Sequence, residues 1–285
     1  MNTTIKKKEA PQRQGLTDGT DGFSMYGNVE SLVISVYFPK NSLQNRVVWK
    51  FNTHGDAVEM IACNHMEEQI RKVVFFYDEN NKLVKKITYD SENLLWDTSK
   101  YLYDNRGQIS SIHSYGRDGS LSGKTVYDYF CDGKIKQKKE IEYWGINTPS
   151  STQIYEYDHN GNETKHSYYD MDGTLAWEYS YVILYDSNNN ITERIKVEDG
   201  VYNGGWLYKY DPSGNEIEIL SYGSDKLTTE RVVLTYDSNG NIIERAIYNS
   251  HNTLIRKITC KYDIYGNMLH EDDNGCVTEF AYNYR

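Results

Sequence analysis

Apolar and polar residues alternate with period two along most of this chain, as they do in a strand with one buried face. Val47-Trp49-Phe51, Val73-Phe75-Tyr77, Trp206-Tyr208-Tyr210, Val232-Leu234-Tyr236 and Ile258-Cys260-Tyr262 each line one side. The residues between them, such as Lys50, Lys209, Thr235 and Lys261, are mostly polar. A turn follows each run, and the next strand opens on an apolar residue: Leu83, Ile109, Ile135, Ile191, Ile242 or Met268. Two copies break that rule with Glu163 and Glu216. Equivalent side chains of neighbouring hairpins are expected to stack into aromatic and aliphatic ladders.

The alternation is organised by a repeat. An aromatic-Asp-x-x-Gly-Asn pattern, with substitutions, begins at Phe51, Tyr77, Tyr103, Tyr129, Tyr157, Tyr185, Tyr210, Tyr236 and Tyr262, so the gaps are 25 to 28 residues. A weaker second turn falls about twelve residues on, near Tyr89, Tyr115, Tyr169, Tyr222 and Tyr248. One unit is therefore two strands and two turns. The turns have a physical basis, because Asp accepts hydrogen bonds from the backbone that follows and Gly supplies the positive φ that a hairpin requires. Asp237 to Gly240 fits a type I turn closed by a left-handed Gly. Asp186 to Asn189 places Asn at that position, the next best residue for it.

These patterns predict an all-β chain, an antiparallel meander of roughly nineteen or twenty strands in tandem ~26-residue units. Residues 1–22 are polar and read as a disordered arm. Residues 23–285 read as one β repeat domain, with a first strand over 27–38 and repeats from about residue 46. Three places look irregular: a longer loop over 144–151 containing Pro149, a turn over 201–205, and one or two helical turns within 64–72. A flat sheet of this many strands would be about 90 Å wide, and open sheets rarely exceed ~10 strands without curling. The expectation is a curled or spiral sheet with its aromatic face inside, and an exposed terminal strand, 277–284, free to pair with another copy.

Composition narrows the function classes. A net charge of −10, spread through the chain, argues against a nucleic-acid partner. The 27 tyrosines and only 4 prolines suit a hairpin-rich protein. No apolar run reaches the ~20 residues of a membrane-spanning helix. The first ten residues carry Lys6, Lys7 and Lys8 without an apolar stretch after them, so they do not read as a signal peptide. The chain either stays inside the cell or begins after a removed leader. Cys63, Cys131, Cys260 and Cys276 have no metal-ligand spacing and read as single thiols, with a disulfide left open.

The chain resembles the YD-repeat, or RHS-repeat, family of bacteria. The marks are Y-D-x-x-G-N at Tyr157, Tyr236 and Tyr262, with D-G-x-L at Asp118 to Leu121 and Asp172 to Leu175. The resemblance covers about 51–284. It implies hairpins wound into a spiralling β-sheet, and association with cell surfaces, carbohydrate binding, contact between cells or, in large members, shells around toxins. This chain is too short for a full shell, and the family's self-cleavage core is matched only by Asp211-Pro212-Ser213-Gly214.

Candidate chemistry is sparse. Asp158, Asp170, Asp172 and Asp237 lie in turns that offer oxygen ligands at alternate positions, as calcium prefers, but the distal Glu of an EF-hand is missing. The seven histidines form no HxH or HxxxH pair. No carboxylate pair stands out as a glycosidase would require. The sequence therefore predicts no catalytic residues, no metal site and no cofactor. The aromatics remain: Trp49 and Trp206 sit on ladder positions and read as core, whereas Trp144, Trp96 and Trp177 are the candidates for ligand contact. The expected function is a non-catalytic binding or scaffold protein for protein or polysaccharide at a bacterial surface. The alternative is an accessory or immunity-type component of a contact-dependent toxin system.

Overall fold

The computed structural model describes residues 28–39, 42–144 and 148–284. It contains twenty strands: β1 (Val29–Tyr37), β2 (Leu43–Phe51), β3 (Ala57–Asn64), β4 (Gln69–Tyr77), β5 (Leu83–Tyr89), β6 (Leu95–Tyr103), β7 (Ile109–Tyr115), β8 (Leu121–Tyr129), β9 (Ile135–Trp144), β10 (Thr148–Tyr157), β11 (Glu163–Asp170), β12 (Leu175–Tyr185), β13 (Ile191–Glu198), β14 (Val201–Tyr210), β15 (Glu216–Tyr222), β16 (Thr228–Tyr236), β17 (Ile242–Asn249), β18 (Leu254–Tyr262), β19 (Met268–Asp273) and β20 (Cys276–Tyr284). The proposed arm over 1–22 lies outside the described residues.

Each strand pairs antiparallel with the next, and β1 pairs with both β2 and β20. The sheet therefore closes on itself. This corrects the expected curled or spiral sheet: the all-β meander holds, but its two ends meet in a β-barrel. Val33 faces Ala281 and Ile34 faces Phe280 across the seam. The terminal strand is consequently not a free edge, because β1 takes up its ladder groups. Closure also answers the width problem, since a barrel has no edges to protect. Twenty strands at about 4.8 Å spacing and about 40° tilt give a circular barrel a backbone radius of about 20 Å.

The ladder aromatics line the concave face. Trp49 on β2 and Phe75 on β4 stack with centroids 6.0 Å apart, and Tyr181 on β12 meets Trp206 on β14 at 6.2 Å. Such contacts skip a strand, which requires side chains that converge. Burial agrees: Phe75 is 7% exposed, whereas its neighbour Phe76, which points the other way, is 42% exposed. One apolar cluster runs along β19, β20 and β1 to β7 and includes Leu32, Phe51, Val73 and Phe75. A second joins Val232, Leu234 and Ile247. The outer face carries rows of opposite charge across neighbouring strands. Glu59 lies between Lys50 and Lys72 at 2.7 and 2.9 Å, and Glu218 lies between Lys209 and Arg231.

The Asp turns form as their chemistry requires. The Asp237 N–H donates to Asn241 O at 2.9 Å, Gly240 N–H donates to Asp237 O at 3.1 Å, and Gly240 has φ of 82°. Oδ1 of Asp237 accepts from Asn239 N and Asn241 N, and Oδ2 accepts from the Asn241 amide. Asn189 takes the left-handed position with φ of 66°.

Three local expectations are corrected. Residues 64–68 form a hairpin turn and Gln69 already begins β4, because Glu67 adopts φ of 63° and ends any helix before a turn is complete. The 144–151 stretch belongs mostly to strands: Trp144 ends β9 and Pro149 sits in β10 at a register shift, where a missing N–H is tolerated. Residues 201–205 open β14 instead of forming a turn, with the irregularity absorbed as a shift in its pairing with β13.

Candidate functional site

Because strands alternate direction, every aromatic-Asp turn falls on one rim of the barrel and every second-half turn on the other. Trp144 ends β9, Trp96 lies at the start of β6 and Trp177 near the start of β12. All three sequence candidates thus stand at the second-half rim. Trp49 and Trp206 are half-buried on the inner wall, as their ladder positions predict.

The three tryptophans differ in setting. Trp144 is 83% exposed and Trp96 57% exposed, both at hairpin tips. Trp96 is outward by alternation, since Tyr101 and Ser99 are buried on the inner face and Asp97 bonds Thr88 there, and it is also the extra residue where β5 and β6 shift register between Thr88–Asp97 and Tyr89–Leu95. Trp177 shares the inner face with Tyr179 and Tyr181 and is 38% exposed at the barrel mouth.

Below Trp177 the wall is aromatic. Its ring stacks on Tyr168 of β11 at 5.4 Å and 7°, and on Tyr179 at 5.7 Å and 4°. His166, 8% exposed, stands edge-on to Trp177 at 4.8 Å and stacks on Tyr155 at 4.0 Å. Strand register builds this group, since His166 faces Tyr155 on one side and Tyr179 on the other. The His166 Nδ1 lies 2.9 Å from Tyr179 Oη, and its Nε2 lies 3.1 Å from Gln153 Oε1. Tyr155 donates to the same Gln153 oxygen at 3.0 Å.

Cations lie over these rings. Lys138 is 4.0 Å from the Tyr155 centroid, Lys196 is 4.9 Å from Tyr179, and Arg194 is 3.6 Å from Tyr181. Lys138 also pairs with Glu140 at 3.1 Å and Lys196 with Glu198 at 3.2 Å. Burial pushes the His166 imidazole below its ordinary pKa, with Lys138 adding to the effect and Glu163 opposing it. Burial and the charge of Glu163 raise the Tyr179 phenol to about 12. The wall therefore combines a histidine kept neutral near pH 7, the Tyr179 phenol held protonated, the pairs Lys138–Glu140 and Lys196–Glu198, and Arg194 over the Tyr181 ring.

Sequence reasoning singled out Trp177 but missed His166, Tyr155, Gln153 and Tyr168. The signal was present as alternation through 153–157, 164–168 and 177–181. Only cross-strand register shows that these residues share one patch.

The Asp residues that invite a calcium reading are engaged in their turns. Asp158 accepts from Asn160 N and Asn162 N at 2.9 Å each and from the Tyr185 phenol. Asp172 accepts from Thr174 N, and Asp170 N–H donates to Thr174 O. Among the described residues no group of three or more His, Cys, Asp or Glu is placed to hold a metal ion. Cys63, Cys131, Cys260 and Cys276 are free thiols.

No family model matches the sequence, and no curated protein matches it. Among solved structures, the chain is similar to a porin-like protein from Bacteroides uniformis, at 9% identity and a TM-score of 0.39, over 91% of this chain and 100% of that one. It is also similar to a TcdB2–TccC3 structure, at 11% identity and a TM-score of 0.27, over 82% of this chain and 18% of that one. A third likeness is to the Photorhabdus luminescens Tc holotoxin pore, at 10% identity and a TM-score of 0.30, over 82% of this chain. The chain spans 15% of that protein's length.

Proposed function

We propose that this chain is a non-catalytic β-repeat binding protein that takes a polysaccharide on the inner wall at the Trp177 mouth. The observation that carries the reading is the run Tyr168–Trp177–Tyr179, whose ring planes agree within 7° and whose tryptophan remains 38% exposed. Flat aromatic faces beside polar side chains suit the apolar faces and hydroxyl edges of sugar rings. Gln153, Lys138, Lys196 and Glu198 supply the polar groups within the same wall. A binding role is favoured over a catalytic one because His166 is held from both ring nitrogens by Tyr179 and Gln153. The outer wall carries charge networks, with Glu59 and Glu218 each between two cations. A bacterial surface is the setting that the repeat resemblance implies.

The test is affinity electrophoresis and calorimetry against a panel of neutral and acidic polysaccharides. At least one should bind, and Trp177→Ala should weaken it about tenfold, on the order of 1.4 kcal/mol, in protein that circular dichroism shows still folded. Silence across the panel together with one stoichiometric protein partner would favour the accessory or immunity-type role instead.

A further inference from the structure

The second-half rim carries an uncommon share of exposed apolar side chains. Met66 is 62% exposed, Leu94 47%, Trp96 57%, Trp144 83%, Met171 70% and Leu227 67%. They belong to five hairpins around the mouth, β3–β4, β5–β6, β9–β10, β11–β12 and β15–β16, and adjacent tips are tied, as where Gln69 Nε2 donates to Asn93 Oδ1 at 2.8 Å. Met66, Ile70, Leu94, Leu95 and Trp96 lie on the two neighbouring hairpins β3–β4 and β5–β6. On the opposite rim the most exposed apolar residues, Ile264 at 93% and Tyr265 at 56%, sit together on a single turn. Hairpin tips normally carry small and polar residues, and contiguous exposed apolar surface marks an interaction site.

The charge of this rim selects the partner. Over 64–68, 90–94, 116–120, 170–174, 198–200 and 223–227 there are ten carboxylates against two cations, Arg117 and Lys226. Arg117 already pairs with Asp90 at 3.1 Å, and Arg46 reaches Glu67 at 2.7 Å from β2. A second copy docked rim to rim would set these carboxylates against their own equivalents. An anionic bilayer would repel them in the same way. Methionine and leucine tips do not select sugars. We propose that this rim docks a protein partner whose contact face combines apolar side chains with lysine and arginine. The apolar tips would supply the buried centre of the contact, and the carboxylates would form its charged border. The proposal stands independently of what the inner wall holds.

The test uses the full chain and two synthetic amphipathic peptides, one of leucine and lysine and one of leucine and glutamate in the same pattern. Vesicles of phosphatidylcholine and of phosphatidylglycerol are titrated in parallel. Calorimetry and tryptophan fluorescence should show saturable binding of the lysine peptide at least tenfold tighter than of the glutamate peptide. The variant Met66→Ser/Leu94→Ser/Trp96→Ser should lose about tenfold, and Glu68→Gln/Glu92→Gln should weaken binding and flatten its salt dependence. The opposite-rim variant Ile264→Ser/Tyr265→Ser should bind as the parent does. Equal loss in both rim variants, equal affinity for both peptides, preferential uptake by vesicles, or a dimer abolished by the serine variant would each overturn the proposal. The charge variant keeps the test decisive if the triple variant fails to fold.

Discussion

The phenol of Tyr77 donates a 2.7 Å hydrogen bond to the backbone carbonyl of Ala57, twenty residues earlier. The same bond joins Tyr103 to Leu83, Tyr129 to Ile109, Tyr236 to Glu216 and Tyr262 to Ile242, and Tyr210 reaches Ile191. Each carbonyl belongs to the first residue of the strand that follows the preceding aromatic-Asp turn. At that residue a register shift, such as that between Lys50 and Phe51, interrupts the ladder. The tyrosine thus ties these six hairpins to the one before, whereas Tyr185 donates to the Asp158 carboxylate instead. At these six positions the hydroxyl gives Tyr a role that Phe could not fill.

Removing this hydroxyl tests the claim directly. Tyr77→Phe should cost about 1 kcal/mol, the net value of one such bond with its acceptor left unpaired. Burial and the charge of Asp56 raise the Tyr77 phenol's pKa well above its ordinary value, so the bond should persist through mild alkali. Tyr103→Phe and Tyr236→Phe should behave alike, and Tyr77 and Tyr236, being far apart, should add. Urea unfolding midpoints at constant slope are the measurement. A loss below about 0.3 kcal/mol in all three would show that the ring, and not its hydroxyl, holds the repeat together.

Closure gives a second prediction. Val33 and Ala281 are register partners across the β1–β20 seam. With the four native cysteines replaced by serine, Val33→Cys/Ala281→Cys should form an intramolecular disulfide on mild oxidation and remain monomeric. The closed loop spans nearly the whole chain, so the cross-link should stabilise by a few kcal/mol, up to about 5. In an open spiral these positions would be far apart, and only intermolecular disulfides would form.

That contrast marks where the sequence stops being legible. The turns are local chemistry, so Asp237 to Gly240 and the left-handed Asn189 can be read directly. Alternation identifies the face of Trp49, Phe75 and Tyr181 in the same way. Closure depends on β1 meeting β20 over about 250 residues, and β1 carries no aromatic-Asp mark that would announce it. The wall at Trp177 is intermediate: each strand shows its alternation, but the meeting of Tyr155, His166 and Tyr179 follows only from register.

His166 predicts a pH dependence. Its folded-state pKa lies below the ordinary value near 6.5, chiefly through burial. The unfolded chain therefore binds the proton more readily, and this residue's contribution to stability falls as pH drops through about 6.5. It is fully present above that value. His166→Gln, which retains hydrogen-bonding capacity toward Tyr179 and Gln153, should flatten the melting temperature between pH 7 and 5 relative to the parent. An unchanged slope would mean that the acid sensitivity arises elsewhere, with His113 the next candidate because burial and Lys124 also lower its pKa.

Glycines of different kinds separate backbone strain from packing. Gly240 has φ of 82° with nothing within 4 Å of a Cβ placed there. Gly240→Ala should therefore cost only the left-handed penalty, roughly 1–2 kcal/mol. At Gly205 a Cβ would lie 2.3 Å from the Arg194 carbonyl and 2.7 Å from Tyr222 Oη. The Tyr222 ring passes over this glycine to donate to Glu193 at 2.6 Å. The neighbouring Gly204 combines φ of 86° with a Cβ position 2.3 Å from the Tyr222 carbonyl. Gly205→Ala must push β14 from β13 or expel the phenol, so its cost should exceed that of Gly240→Ala by several-fold. Combining it with Tyr222→Phe, which removes the hydroxyl in the way, should recover part of the loss. If Gly205→Ala and Gly240→Ala unfold at the same denaturant concentration, the close approach at β13–β14 is not what requires glycine there.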